Sequence, residues 1–194
     1  MTLVKICGLT REQDVDAAVA AGADLVGFVL VPGTPRYLDP DRARALAARV
    51  PAGVRTVAVV QKSGDSPPKG GDSPRLLDGF DLVQTYDTPA DFRDTIVASR
   101  GEPPAEVPDS VPVLLDLPYG SRPDRAGLEA HWQRAAGVRQ PVILAGSLDP
   151  GNVAAAIATA RPWAVDTARG VESSPGIKDH DLVRAFIRTA KEAP

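Results

Sequence analysis

Cysteine, histidine and aromatic residues are scarce in this chain of 194 residues, which has one cysteine, two histidines and 5% aromatic residues. One cysteine excludes an intramolecular disulfide framework, and so few cysteines and histidines argue against a structural zinc site. The apolar runs are too short to span a bilayer. The N-terminus has no signal-peptide pattern, because Lys5 interrupts its apolar stretch. We therefore expect a cytoplasmic protein with no membrane partner.

The charge balance is close to neutral. A formal net charge of −3 gives no basic surface, so a nucleic-acid partner is not expected. Hydrophobic residues make up 43% of the chain and charged residues 24%, which is ordinary for a globular domain. The length predicts one domain over residues 1–194. Nothing in the composition distinguishes a monomer from a homodimer.

The first ten residues place the only cysteine where a strand meets a helix. Residues 3–6 are predicted to form a strand that ends at Cys7. Thr10 and Gln13 have the spacing of a capping box, which predicts a helix that starts at Thr10. In parallel α/β folds, ligands bind at this edge of the sheet. Cys7 is therefore a candidate functional residue, although a free cysteine is more often a small buried residue.

Apolar runs and helical patterns alternate along the chain. The predicted strands cover residues 3–6, 24–31, 55–60, 80–84, 95–98, 111–116, 141–145 and 163–166. Helices are predicted at residues 12–21, at 40–50 with Asp39 as N-cap, at 125–136, after Asp149-Pro150, and from Asp179 onward. This alternation predicts a (β/α)8 TIM barrel. The alternative is an open doubly wound sheet, whose dinucleotide-binding form would need a Gly-x-Gly-x-x-Gly turn that is absent after the first strand.

Three connections between strands are unsuited to a full helix. The one after the third strand repeats Gly-Asp-Ser-Pro at 64–67 and 71–74, which predicts a flexible loop over residues 61–74. After the fourth strand only a short helix over residues 88–94 is expected, and the proline-rich residues 102–110 cannot carry one. The helices after strands three to five are therefore predicted to be shortened or missing.

Two strand ends carry groups suited to proton transfer. Cys7 closes the first strand and Asp116 closes the sixth, so a barrel would place both at one mouth. A thiolate can act as a base, and a nearby cation such as Lys5 lowers its pKa. A carboxyl in a partly apolar mouth can keep its proton and act as an acid. A helix cap or a loop hydrogen bond is the structural alternative for Asp116.

The last two strands are followed by a predicted phosphate site. Residues 145–148 lie directly before a helix, and residues 167–170 follow the eighth strand. In barrels these two loops commonly bind phosphate through backbone amides. Gly146 and Gly170 would let the backbone approach a ligand closely. Two ordinary strand-to-helix turns are the structural alternative.

One arginine lies in the loop after the second strand. Arg36 at a barrel mouth would suit bidentate recognition of a carboxylate. A solvated surface arginine is the structural alternative.

Several segments together resemble the phosphoribosylanthranilate isomerase family, (β/α)8 enzymes of tryptophan biosynthesis. The resemblance rests on Lys-Ile-Cys-Gly-Leu-Thr at 5–10, Pro-Arg-Tyr at 35–37, Leu-Leu-Asp at 114–116, Leu-Ala-Gly-Ser-Leu at 144–148, and residues 165–179. It is closest over the first 60 and the last 50 or so residues.

The resemblance implies an Amadori rearrangement of N-(5-phosphoribosyl)anthranilate to 1-(2-carboxyphenylamino)-1-deoxyribulose 5-phosphate by general acid–base catalysis. It implies Cys7 as the base and Asp116 as the acid. The substrate-binding residues that it implies are Lys5 beside the base, Arg36 for the anthranilate carboxylate, Asp166 for the sugar hydroxyls, and Gly146, Ser147, Arg169 and Gly170 for the phosphate. Because the proton transfer is internal to a phosphorylated sugar substrate, no metal and no other cofactor is expected.

Four segments depart from the family pattern. Ser147 stands where the family usually has glycine, and residues 168–170 read Ala-Arg-Gly instead of Ser-Ser-Gly. Residues 84–87 read Gln-Thr-Tyr-Asp instead of Gln-Leu-His-Gly, and residues 119–123 replace a glycine-rich loop. These changes leave open a paralogous isomerase that acts on another aminosugar phosphate. The trimmed helices leave open a non-catalytic barrel that binds a phosphorylated ligand or a protein partner.

Overall fold

The computed structural model describes residues 1–60, 78–86 and 93–194. Its eight parallel strands form a closed barrel in sequence order, and the eighth strand pairs with the first. The strands are β1 Leu3–Cys7, β2 Leu25–Val29, β3 Arg55–Val59, β4 Leu82–Thr85, β5 Thr95–Arg100, β6 Val113–Asp116, β7 Val142–Leu144 and β8 Ala164–Thr167. The predicted barrel is confirmed, and the open sheet is excluded.

The helices of the described residues follow the predicted order. They are α1 Glu12–Ala20, α2 Pro40–Ala47, α3 Arg125–Ala136, α4 Val153–Ala160 and α5 His180–Glu192. Asp39 caps α2 by accepting from an amide of the first turn, with Pro40 at the first helical position, and Asp179 caps α5 in the same way. Both predicted caps are confirmed. None of these helices is long and apolar enough to cross a membrane.

Two predicted helix starts are wrong. The hydroxyl of Thr10 does not cap α1 but donates to the carbonyl of Gly176 at 2.5 Å, and Arg11 occupies the N-cap position without a side-chain cap. Asp149 does not cap α4, which begins after Asn152. The Asp149 carboxylate instead accepts from the amide of Gly151 at 2.7 Å and closes a turn before the helix.

The connection from β5 to β6 contains no helix, as predicted. Val107 and Val111 from this connection are buried in the core outside the barrel, where a helix would otherwise pack. Most of the connections after β3 and β4 lies outside the described residues, and so does the predicted flexible loop at 61–74.

Alternation along the strands decides which side chains enter the barrel. Val4 and Ile6 of β1 point outward into the core beneath the helices. Cys7 points inward and belongs to the core inside the barrel, and Lys5, two residues earlier on β1, shares that face. Asp116 and Asp166 also face the inside of the barrel. Leu114 and Ala164, two residues earlier on β6 and β8, lie in the inner core and share that face.

A short hairpin that we did not expect from the sequence follows β8. A 3-10 helix, Arg169–Val171, leads into antiparallel strands β9 Glu172–Ser174 and β10 Ile177–Lys178. The turn of this hairpin packs on the loop after β2, since a Cβ on Gly176 would lie 2.6 Å from the carbonyl oxygen of Pro35. The hairpin therefore connects the segment after β8 with the loop after β2, and these two strands lie on either side of β1.

Candidate active site

A cavity of about 510 Å³ lies at the carboxyl ends of the strands. Its volume suits a small-molecule ligand. The predicted site residues that line it are Arg36, Asp116, Gly146, Ser147, Asp166, Arg169 and Gly170. A second hollow of about 660 Å³ lies at the opposite end of the barrel, between the C-terminal ends of α3 and α4, and none of the predicted site residues lines it.

Lys5 and Asp166 form an ion pair inside the barrel. The Nζ atom of Lys5 donates to Oδ1 of Asp166 at 2.8 Å, and the lysine side chain is fully buried. Burial opposes the charge on Lys5, but Asp166 and Cys7 outweigh it and raise the pKa of Lys5 above its ordinary value. The ammonium therefore stays charged beneath the cavity. Its predicted contact with substrate stays a prediction.

Cys7 is nearly buried beside this pair. Gly27 leaves the space for it, because a Cβ there would lie 2.9 Å from the Cys7 Sγ and 3.3 Å from the Lys5 Nζ. Burial raises the pKa of Cys7, and the charge of Lys5 opposes that rise. The structure thus places a cation where a thiolate on Cys7 would need it. Sequence patterns did not single out Gly27.

Asp116 ends β6 at the cavity wall. Its Oδ1 accepts from the amide of Leu117 at 2.8 Å. This is a loop hydrogen bond of the kind that was the structural alternative to a catalytic role. Burial nevertheless raises the pKa of Asp116 above its ordinary value. The carboxyl therefore keeps its proton to higher pH than a solvated aspartic acid, as a general acid requires.

Arg100 and Tyr86 lie next to Asp116 and were not predicted as site residues. Arg100 ends β5 in register with Asp116, and its guanidinium carbon lies 4.0 Å from the centre of the Tyr86 ring. Burial, followed by the charge of Asp116, raises the pKa of Tyr86 to about 12, so its hydroxyl is neutral. An arginine at the carboxyl end of a barrel strand is the signal that would have identified Arg100.

The loops after β7 and β8 touch each other at one end of the cavity. The hydroxyl of Thr167 donates to the carbonyl of Leu148 at 2.7 Å, and a Cβ on Gly170 would lie 1.9 Å from the same oxygen. Ser147 has a φ of +53°, a left-handed conformation that favours glycine. Arg169 Nη2 lies 3.5 Å from the Ser147 hydroxyl. Two departures from the family pattern therefore face each other here.

Arg36 is held by an acidic residue of the hairpin. Its Nε and Nη2 atoms donate to the two carboxylate oxygens of Glu172 at 2.8 and 2.6 Å, and Lys178 Nζ donates to Oε1 at 2.9 Å. Burial opposes ionisation of Glu172, but Arg36 and Lys178 hold its pKa below the ordinary value. Glu172 and Lys178 lie within residues 165–179, yet the sequence patterns assigned no role to either.

Comparisons with known proteins agree with the resemblance seen in the sequence. A family model described as N-(5'-phosphoribosyl)anthranilate (PRA) isomerase matches residues 79–189. The N-(5'-phosphoribosyl)anthranilate isomerase of Chromohalobacter salexigens is 40% identical, with 96% of this chain and 92% of the relative covered. The enzyme of the same name from Haloferax volcanii is 42% identical, with 100% and 95% covered.

Solved structures point the same way. A phosphoribosyl anthranilate isomerase in complex with reduced 1-(o-carboxyphenylamino)-1-deoxyribulose 5-phosphate superposes with a TM-score of 0.78 at 30% identity, with 98% of this chain and 99% of that chain covered. The fold, the cavity and these similarities lead to one assignment: this chain belongs to the phosphoribosylanthranilate isomerase family.

Proposed function

We propose that this chain converts N-(5-phosphoribosyl)anthranilate to 1-(2-carboxyphenylamino)-1-deoxyribulose 5-phosphate in tryptophan biosynthesis. The observation that carries the proposal is the cavity in which Asp116, Arg36 and the loops after β7 and β8 face one another. Cys7 lies buried near Lys5, which pairs with Asp166 of the cavity wall. The ligand in the solved relative, a reduced form of the proposed product, has the carboxylate and phosphate groups that these residues would bind.

Asp116 would start the reaction as the general acid. Its proton goes to the ring oxygen of the ribose while the C1–O bond breaks, and the nitrogen lone pair forms a C1=N bond. Burial raises the pKa of this carboxyl, so it keeps the proton to higher pH than a solvated aspartic acid does. The open-chain Schiff base is cationic at nitrogen, so the C2 hydrogen becomes acidic.

Cys7 would then remove the proton from C2 as a thiolate. The electron pair of the C2–H bond forms C1=C2 and neutralises the nitrogen, which gives an enolamine. This enolamine tautomerises to the aminoketone product. The charged Lys5 side chain would favour the thiolate, because the coulombic effect of Lys5 lowers the pKa of Cys7 against the effect of burial.

The remaining predicted residues would bind the substrate. Arg36 would hold the anthranilate carboxylate, and Asp166, which accepts a hydrogen bond from Lys5, would also accept from sugar hydroxyls. The phosphate would lie at the loops after β7 and β8, where the guanidinium of Arg169 adds a charge near the backbone amides. A charged contact of this kind explains how the altered loops can still serve a phosphorylated substrate.

The test is turnover of freshly made substrate, followed as loss of anthranilate fluorescence. We expect Cys7→Ser and Asp116→Asn each to lower kcat by about 100-fold or more, with much smaller changes in KM. Near-normal turnover in either variant would remove that residue from the mechanism. Folded wild-type protein without turnover, but active on another aminosugar phosphate in a substrate screen, would favour a paralogue.

We further propose that the enzyme acts in the cytoplasm as a monomer or a homodimer. A phosphorylated sugar substrate does not cross membranes unaided, so it would be made and used in one compartment. Sedimentation of the purified protein distinguishes the two oligomeric states, and an assay of fractionated cells tests the location.

A further inference from the structure

One buried carboxylate holds two cations at the edge of the cavity. The side chain of Glu172 is only 3% exposed and that of Lys178 is fully buried. Glu172 accepts from Arg36 at two nitrogens and from Lys178 at a third. Burying a carboxylate is costly unless it is paired, and here each charge is paired with the others. This arrangement leaves the three side chains little freedom to rearrange.

The rest of the Arg36 side chain is confined as well. A Cβ on Gly8 would lie 2.4 Å from the Arg36 Cδ, so the aliphatic part of the arginine runs directly over the backbone that follows Cys7. The preceding residue, Pro35, is packed against the turn at Gly176, whose carbonyl accepts the hydroxyl of Thr10. The arginine is therefore held along its whole length before any ligand arrives.

Glu172 occupies one edge of the Arg36 guanidinium and leaves another edge available to a ligand. Arginine has a side edge, formed by Nε and one terminal nitrogen, and an end edge formed by its two terminal nitrogens. Glu172 takes the side edge through Nε and Nη2. The end edge, Nη1 and Nη2, can still bind a second carboxylate in the bidentate geometry that arginine favours. Arg36 also lines the cavity.

We infer that Glu172 is a positioning residue that holds Arg36 by its side edge and so directs its end edge at the substrate carboxylate. This inference rests on the proposed function, since the carboxylate is that of the anthranilate ring. Without Glu172, Arg36 would have to lose its rotamer freedom when the ligand binds, and affinity would fall accordingly. Glu172 itself does not touch the substrate.

Lys178 extends the same anchor to the other end of the cavity. Its Nζ also donates to the carbonyl of Ala168 at 2.9 Å, directly before Arg169 and Gly170. A change at Glu172 can therefore also disturb the phosphate end. The experiment must separate that effect from the one on Arg36.

Calorimetric titration with two ligands makes that separation. One ligand is reduced 1-(o-carboxyphenylamino)-1-deoxyribulose 5-phosphate, and the other is the same molecule without the carboxyl group. A disturbance of the phosphate end changes both dissociation constants alike, so their ratio reports the carboxylate contact alone. Because charge-assisted hydrogen bonds are strong, we expect the wild-type protein to prefer the carboxylated ligand by about 10- to 100-fold.

Glu172→Gln keeps the size of the side chain and removes its charge. We expect it to reduce the preference for the carboxylated ligand by about tenfold, which corresponds to one lost charged contact. In an Arg36→Met background the preference should be absent, and adding Glu172→Gln should then change nothing further. Asp24→Asn is the matched control, because Asp24 is a lysine-paired carboxylate at the opposite end of the barrel and should leave the ratio unchanged.

Because Glu172→Gln leaves the buried Lys178 without a charged partner, the variant can lose stability. The double variant Glu172→Gln/Lys178→Met removes both charges and should show the same reduced preference in a folded protein. An unchanged ratio of dissociation constants in a folded Glu172 variant would overturn the inference, whether affinity for both ligands is kept or is lost equally. Failure of the wild-type protein to bind either ligand would instead contradict the proposed function, and the inference would fall with it.

Discussion

The ammonium of Lys5 and the carboxylate of Asp166 pair at 2.8 Å across the seam where β1 closes the barrel against β8. Asp166→Asn would leave Lys5 charged, buried and without its partner. Removing one member of a buried ion pair costs about 3 to 5 kcal/mol. We expect a decrease of that size in the free energy of unfolding, measured by urea denaturation at pH 7.

The double variant Lys5→Met/Asp166→Asn is the control for this prediction. It removes the stranded charge, so it should recover much of the stability lost in the single variant. A double variant no more stable than Asp166→Asn would show that the loss comes from packing instead of the unpaired charge.

Gly27 provides a test of how closely the thiol must be placed. Gly27→Ala would put a methyl group 2.9 Å from the Cys7 Sγ and move the sulfur. A displacement of about 1 Å in a reacting group can cost on the order of 100-fold in rate. We expect kcat to fall by about 10- to 100-fold while KM changes little. Steady-state kinetics measure both.

Gly137→Ala is the matched control for Gly27→Ala. Gly137 has a φ of −85°, and the nearest atom to an added Cβ is the Arg134 carbonyl oxygen at an ordinary 3.5 Å. Its kinetics should match those of the wild-type protein. Equal losses in the two variants would contradict a specific role for the space at Gly27.

Arg100 should influence the position of the acid limb of the pH profile through its effect on the pKa of Asp116. The proposed mechanism needs Asp116 protonated and Cys7 ionised. Because Asp116 is the stronger acid of the two, it sets the acid limb of kcat/KM and Cys7 sets the alkaline limb. Burial raises the pKa of Asp116, and Arg100 acts in the opposite direction. Arg100→Gln should therefore move the acid limb to higher pH.

The alkaline limb should stay in place in Arg100→Gln. Arg139→Gln removes an arginine at the opposite end of the barrel and should move neither limb. An acid limb that stays in place in Arg100→Gln would exclude Asp116 as the group that titrates there.

Asp14 should account for part of the stability lost in acid. Its buried carboxylate accepts from Arg11 at 2.9 and 2.7 Å and lies 2.8 Å from His180 Nε2. Burial opposes its charge, but these hydrogen bonds prevail and lower the pKa of Asp14. The stabilisation is therefore full above the unfolded-state pKa, about 4, and is lost as pH falls through the lower folded-state pKa.

Asp14→Asn should lower the free energy of unfolding at pH 7 by about 1.5 to 3 kcal/mol, because it weakens the charge-assisted hydrogen bonds that the buried carboxylate accepts from the partly exposed Arg11 and His180. The variant should also lose less further stability between pH 5 and pH 3 than the wild-type protein does. Urea denaturation at several pH values measures both effects. Parallel curves for the two proteins would contradict the role of Asp14.

Ser147 should be strained. Its φ of +53° costs a residue with a side chain about 1 to 2 kcal/mol. Ser147→Gly relieves this strain but adds freedom to the unfolded chain, so a net gain of up to about 1 kcal/mol is expected. Ser147→Ala keeps the strain and should bring no gain. Thermal unfolding of the two variants makes the comparison.

Local patterns predicted the barrel because its determinants are local. Strands such as Leu25–Val29 are buried on both faces and therefore read as continuous apolar runs. Asp39 and Asp179 cap helices through contacts two or three residues away. Thr10 has the same chemistry, but its hydroxyl is engaged by Gly176, far along the chain. A local sequence pattern around Thr10 cannot reveal that hydrogen-bond partner.

The candidate site likewise contains residues that local sequence patterns reveal and contacts that only distant parts of the chain create. The strand ends made Cys7 and Asp116 candidate site residues, because a parallel barrel brings all such ends to one mouth. The contact of Arg36 with Glu172 joins two loops 136 residues apart. It depends on a polar hairpin, Glu172–Ser174 with Ile177–Lys178, whose strands are too short to show alternation. Only the folded chain shows that the arginine is already engaged.

The pairing of β1 with β8 has a consequence for synthesis on the ribosome. Lys5 and Asp166 are 161 residues apart, so β1 keeps one edge unpaired until β8 has been made. An unpaired edge invites pairing with other nascent chains. During that interval Lys5 places a charge in the middle of the open edge, where lysine discourages such association. The residue that later sits beneath the cavity thus protects the growing chain before there is a cavity.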